Sequence, residues 1–320
     1  MSETETSSLS VITEAATNLP DPVKKGLFGA LGFLLGNLGV IPAAWLRRRA
    51  QAINDDAAGR SLVATELSKK VAERAINDPA LMRAAEEVYL PTAIRKASNR
   101  VQVAQRAVQH ITDAPTDEAK PGTPDEDWMN AFVRFAEDAS SDRLQDFFGR
   151  VLAGEIVRPG SFSLSTLRTV AELDSSIAQD FSLVWARSVG DSVDHGPDFW
   201  RGEWFSRWKR LAEVGLMAAT GIAQYLPAYT PITEGNALWS PMSAGQVRLF
   251  VFFSKDCQVR WDHIEFTRIG RQIGGILAPP DYEANIREAG LRLNGPGIVK
   301  VELHTANGKL PEVLYQKPAD

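Results

Sequence analysis

The chain has 320 residues, 44% of them hydrophobic and 23% charged, with a formal net charge of −5. That composition builds folded cores and excludes both a wholly disordered chain and a protein that coats nucleic acid through bulk charge. A single cysteine, Cys257, excludes an internal disulfide framework and a cysteine-based zinc cage, and it fits a reducing, cytoplasmic setting.

Residues 1–20 are rich in Ser, Thr and Glu and read as a mobile tail without a secretory signal. Residues 21–50 hold the longest uncharged run, GLFGALGFLLGNLGVIPAAWL, between Lys24 and Lys25 on one side and Arg47, Arg48 and Arg49 on the other. Its length approaches what spans a bilayer. Gly26, Gly29, Gly32, Gly36 and Gly39 recur at steps of three or four and share one helical face. Glycine costs about 1 kcal/mol per helical position relative to alanine, so such a face needs compensation. Close helix–helix approach in a membrane or an oligomer supplies it, with Leu27, Leu31, Phe33, Leu34 and Leu38 toward lipid and Trp45 with the flanking cations at the headgroups. A buried soluble helix packed through the same glycines is the other reading. The apolar residues favour insertion by about 3 to 6 kcal/mol, but the glycines, Asn37 and Pro42 oppose it. Span, re-entrant hairpin and interfacial placement therefore all stay open, with association at the inner membrane as the expectation.

Residues 51–112 form a basic amphipathic helical arm, with apolar positions such as Leu62, Val63, Leu67, Val71 and Ile76. Residues 21–110 carry a local surplus of about +6 that the overall acidity hides. Residues 113–126 are acidic and Pro-rich and read as a linker at a domain boundary. Residues 127–217 read as a helical domain, in which Ser140 or Ser141, Ser163 or Ser165, and Asp174 are the expected helix caps. Residues 218–320 form an α+β region. There GQVRLFVFFSK and CQVRWDHIEFT are expected to pair as a hairpin, and two further strands flank Asn307-Gly308, a type I′ turn signal.

No nucleophile, metal cluster or acid–base pair stands out, so a non-enzymatic protein without metal or cofactor is expected. His110, His195, His263 and His304 lack metal-pair spacing. Asp262 alternates away from His263 and Glu265 on a strand. Asp281 with Glu283, and Glu302 with Lys309, match the carboxylate–lysine pattern of metal-dependent nucleases only poorly. The helix FWRGEWFSRWKRLAEVGL carries more chemistry. Trp200, Trp204 and Trp208 share one face with Arg201, Arg207, Lys209 and Arg210 nearby, a combination that suits a nucleic-acid strand, a headgroup or a partner protein. A core stripe with a solvated basic rim is the alternative.

Asp127-Trp128, Leu152-Ala153-Gly154-Glu155 and Pro159-Gly160-Ser161-Phe162-Ser163 give the stretch up to Ile273 a family look. It resembles the bacterial family known as domain of unknown function 2806, a kinship that implies no activity. The layout is also similar to that of the abortive-infection alpha family, which implies a role in phage defence through a membrane-active segment. Locally, Leu211-Ala212-Glu213-Val214-Gly215-Leu216 and Phe266-Thr267-Arg268-Ile269-Gly270-Arg271-Gln272-Ile273 resemble the bracket around the wing of winged-helix domains, here with about fifty residues inserted.

The expected fold is thus mainly α with a C-terminal α+β part, comprising a helical N-terminal arm and a winged-helix-like C-terminal domain. Two functions follow. One is a membrane-associated or homo-oligomeric defence effector joined through the glycine face and triggered by nucleic acid or protein. The other is a soluble nucleic-acid-binding or regulatory module acting through Trp200, Arg201, Trp204, Arg207 and Trp208.

Overall fold

Pro20 and Pro22 set the start of the first helix, α1 (Asp21–Leu35), because a fixed φ suits the first turn, whose N–H groups need no helical partner. The computed structural model describes residues 19–36, 87, 90–112, 120–218, 223–225, 236–257, 259–306 and 310–318. They divide into two compact units, Met1–Ala171 and Glu172–Asp320.

The first unit is helical. After α1 come α2 (Leu90–Thr112), α3 (Glu126–Asp138), α4 (Asp142–Val157) and α5 (Leu164–Glu172). The amphipathic α2 packs on α4 and α3, and α1 packs against all three. The expected caps are in place: Ser141 Oγ accepts from Leu144 N at 3.3 Å, and Ser163 Oγ accepts from Thr166 N at 3.3 Å. The described end of the acidic segment, from Lys120, lies within this unit, where Gly122 N donates to the Ile156 carbonyl at 3.0 Å.

Here the leucine face of α1 departs from expectation. Leu27, Leu31 and Leu34 are at most 1% exposed and belong to the core of the unit rather than to a lipid-facing surface. Each such burial stabilises by about 1.5 to 3 kcal/mol, available here without a bilayer. Gly26 is buried too, and a Cβ there would press into the Gly122 carbonyl oxygen and lie 3.1 Å from Ile156 Cγ2. Gly29 is buried, Gly32 half-buried, and Gly36 is an exposed C-cap with φ 55°, a left-handed backbone that glycine adopts without strain. Lys24 sits 3.9 Å from Asp21, and Lys25 is exposed. Gly39, Trp45, Arg47, Arg48, Arg49 and the arm over 51–86 lie outside the described residues. Among the described residues no helix is long and apolar enough to cross a membrane.

Gly26→Val is therefore expected to destabilise the folded chain by about 1 to 3 kcal/mol through overpacking against backbone. Urea unfolding reads this directly; an unchanged midpoint would show that the glycine is not needed for this packing.

The second unit opens with α6 (Ser175–Trp185), capped by Asp174, whose Oδ1 accepts from Ile177 N at 2.8 Å. Then follow β1 (Ser192–Asp194), a 3-10 turn (Pro197–Phe199), α7 (Gly202–Glu213) and β2 (Ala223–Tyr225). After them come β3 (Asn236–Trp239), β4 (Ser243–Ala244), β5 (Val247–Ser254), β6 (Arg260–Glu265), α8 (Arg268–Gly274), α9 (Tyr282–Leu291), β7 (Ile298–His304) and β8 (Glu312–Gln316). Strands thus begin at Ser192, earlier than the β-branched region after Gly221 announces.

One antiparallel sheet has the order β1-β6-β2. Helix α6, β1, the 3-10 turn, α7, β2 and β6 follow in that chain order around this sheet. The sequence bracket closes on itself: Thr267 Oγ1 donates to Gly215 O at 2.6 Å, Thr267 N donates to Leu216 O at 3.1 Å, and Met217 bridges Phe266. Gly270 is needed at this junction, since a Cβ would collide with the Leu216 carbonyl.

The residues between β2 and β6 build β3, β4 and β5 of a second, five-stranded sheet ordered β3-β5-β7-β8, with β4 also on β5. The expected β5–β6 hairpin is absent among the described residues: β5 pairs with β3, β4 and β7, whereas β6 pairs with β1 and β2. Both runs are apolar enough to be internal strands; β5 takes β4 and β3, just before it in the chain, and β7 from further on, whereas β6 takes β1 and β2 from before the insertion. The β7–β8 pair does form, with Leu303 opposite Glu312, while residues 307–309 lie outside the described residues. Helix α9 covers one face of this sheet, burying Ile286 and Ala289 against Leu249, Val251, Phe253, Val301 and Leu303.

Candidate nucleic-acid interface

Strand alternation sends the odd-numbered residues of β5 to α9, and Arg248, Phe250 and Phe252 to the opposite face. Register places His304, Glu302 and Lys300 of β7 directly across from those three, and Leu238 of β3 across from Phe252. Arg248 is exposed; Phe250, Phe252, Lys300 and His304 are half-buried.

The groups on this face contact one another. The Lys300 ammonium lies 4.7 Å from the Phe252 ring centre, a cation–π contact, and 2.8 Å from a Glu302 carboxylate oxygen. The His304 ring meets Phe250 edge-to-face at 4.6 Å, and its Nε2 is 3.2 Å from Glu302. Burial works to raise the Glu302 carboxyl, but the hydrogen bonds and charges of Lys300 and His304 hold it below its ordinary range. Two phenylalanines two residues apart on an internal strand, with cations beside and across from them, offer ring faces and positive charge along one surface. The alternating Arg-x-Phe-x-Phe in VRLFVFFS carried this signal, but the run is apolar enough to pass for a core strand.

The tryptophan helix divides between its two sequence readings, the core stripe and the exposed binding face. Trp208 is a core residue, 1% exposed, with its Nε1–H donating to Phe199 O at 2.8 Å. Trp204 stacks on Trp208 at 5.2 Å and meets Phe199 edge-to-face at 5.0 Å, while the Arg207 guanidinium lies 4.6 Å from its centroid. Arg207 and Arg210 both bind Asp180 on α6, at 2.7 and 2.6 Å. Burial acts to raise the Asp180 carboxyl, yet the two guanidiniums hold it below its ordinary range. These arginines are thereby committed to a salt bridge inside the unit. Trp200, 44% exposed and donating to His195 O at 2.8 Å, and Arg201 at the helix N-cap are what remains at the surface of the expected constellation. Lys209 is also exposed, 3.9 Å from Glu213.

Other candidates resolve into structure. Asp281 caps α9 by accepting from Ala284 N at 3.0 Å, and Glu283 pairs with Arg287 at 2.7 Å. His263 is buried with Nδ1 3.0 Å from Trp261 O. Among the described residues no cluster of three His, Cys, Asp or Glu side chains is arranged to hold a metal.

Trp128, residues 152–155 and residues 159–163 meet in a packed knot in the first unit. Trp128 Nε1–H donates to Phe162 O at 2.8 Å, and Gly154 leaves room for the Phe162 ring, which would lie 2.8 Å from a Cβ there. Glu155, 2% exposed, accepts from Gly160 N at 2.6 Å and from Phe162 N at 3.0 Å, so it closes the Pro159–Ser163 turn. Burial pushes its carboxyl up, against these backbone donors.

Residues 91–193 match the family described as protein of unknown function (DUF2806). The match covers about a third of the chain and includes the knot; it ends within β1, well short of the Ile273 limit read from the sequence. The comparisons with curated proteins and with solved structures both return no match.

Proposed function

We propose that this protein is a regulatory module that binds single-stranded nucleic acid on the outer face of the five-stranded sheet. The observation that carries the reading is the alternation of Arg248, Phe250 and Phe252 on an internal strand, with Lys300 and His304 across from them. Bases stack on the phenylalanines, and phosphates meet Arg248 and draw Lys300 away from Glu302. Single strands suit this surface better than duplex, because a pleated face offers rings to splayed bases and no element shaped for a groove. The exposed positions of α7 fit poorly with duplex reading: Phe205 and Lys209 share them with Glu203 and Glu213.

A fluorescein-labelled single-stranded oligonucleotide should bind the full-length chain, with affinity falling steeply as salt rises. Phe250→Ala and Phe252→Ala together should weaken binding by about 2 kcal/mol or more, since stacking contributes about 1 to 3 kcal/mol per base. Arg201→Ala should leave it unchanged. Anisotropy showing no wild-type binding, or full binding by a folded double variant, would overturn the proposal.

A further inference from the structure

Away from the sheet face, the second unit holds an open cleft of about 570 Å³, lined among others by Trp185, Asp191, Ser243, Trp261, Arg271 and Tyr282. Its volume suits a small organic molecule. Trp185 and Trp261 are both more than nine-tenths buried and form apolar walls held by the fold. Trp185 packs against Phe266 at 5.2 Å and Phe181 at 6.3 Å, and the Trp261 indole N–H is bound to Asp194 at 3.0 Å.

The polar part of the lining is an unequal pair. Arg271 is anchored, its Nη1 donating to Phe266 O at 2.9 Å, and its Nε stands 3.7 Å from a carboxylate oxygen of Asp191. That separation is an ion pair without a hydrogen bond, and the Asp191 side chain is 78% exposed, so the two groups hold each other weakly. A cation and an anion this close, beside an aromatic wall, complement a ligand that carries a carboxylate and an ammonium on one carbon and an apolar group beyond them. A mononucleotide fits less well, since its phosphate and base edge lie too far apart to engage both groups where they stand.

We infer that this cleft binds a free α-amino acid with a large apolar or aromatic side chain, its carboxylate on Arg271, its ammonium on Asp191 and its side chain against Trp185 and Trp261. The site is separate from the sheet face and does not depend on nucleic-acid binding.

Isothermal titration of the full-length chain with L-phenylalanine, L-tryptophan and L-leucine tests this. At least one should bind saturably in the millimolar range or below. Phenylacetate, which lacks the ammonium, and phenethylamine, which lacks the carboxylate, should bind at least tenfold more weakly than L-phenylalanine, and glycine should give no saturable signal. Arg271→Ala should lose at least tenfold, and Ser243→Trp, which fills the cleft from an exposed position, should abolish binding. The Phe250→Ala, Phe252→Ala double variant should bind the amino acid as the wild type does, which separates this site from the sheet. Absence of binding by all three amino acids, equal binding of either truncated analogue, or unchanged affinity in a folded Arg271→Ala chain would each overturn the inference.

Discussion

Replacing Glu155 with alanine is expected to cost the folded chain about 3 to 5 kcal/mol, enough to leave a domain of ordinary stability marginal. The carboxylate accepts from the backbone N–H groups of Gly160 and Phe162, and the side chain is 2% exposed. Alanine leaves those donors facing a cavity, at about 1 to 3 kcal/mol for each group deprived of a partner. The turn they define also carries the Phe162 carbonyl that receives the Trp128 indole. Glu155→Gln separates the contributions. Glutamine keeps the shape and one acceptor oxygen and removes the buried charge, so its loss should be less than half that of alanine. The two also part in their pH dependence. Burial raises the Glu155 carboxyl above its ordinary range, so the folded state takes up this proton more readily than the unfolded chain. The stabilisation from that proton is fully present below the unfolded value and is lost as pH rises through the folded one. Wild type should therefore gain stability relative to the glutamine variant as pH falls from neutral toward the carboxylate range. Urea unfolding at several pH values measures both; an alanine variant within about 1 kcal/mol of wild type would show that the turn does not depend on this carboxylate.

Local chemistry was legible wherever the deciding contact is near in sequence. Ser141 and Asp174 cap helices because a short polar side chain reaches an N–H three residues ahead, and the sequence alone places it there. Gly215 and Thr267, which belong to turn and cap patterns with a recognisable spacing, meet across the fifty residues between them. Long-range choices were hidden. Periodicity assigns the five glycines to one face without saying what the face meets, and Gly26 meets Gly122, nearly a hundred residues later. The basic rim of α7 looked available because Asp180, which binds Arg207 and Arg210, lies on another helix. Pairing of β5 and β6 was the obvious inference from adjacency, and it failed because both strands find partners from elsewhere in the unit. The candidate interface was missed for a related reason: Phe250 and Phe252 look like core residues until the fold shows that Leu249, Val251 and Phe253 already fill the buried face.

Asp194→Ala should bring the second large loss, about 3 kcal/mol. Asp194 is 8% exposed on β1 and joins three elements: it accepts from the Trp261 indole on β6 at 3.0 Å and from Gly196 N at 3.3 Å, and it pairs with Arg292 after α9. Removing one partner of a buried pair costs about 3 to 5 kcal/mol. The lower end applies because the Arg292 side chain is 29% exposed, so water takes over part of its solvation. Asp194→Asn retains an acceptor for the indole and gives up the charge, and should fall between alanine and wild type. If the two variants lose equally, the ion pair rather than the indole bond holds the junction. The same bond fixes a wall of the cleft, since Trp261 lines it. Under conditions where the alanine variant remains folded, its affinity for L-phenylalanine should drop further than that of the asparagine variant, because only the latter keeps the indole anchored. Equal affinities would separate the wall's position from this carboxylate and leave Asp194 a purely structural residue.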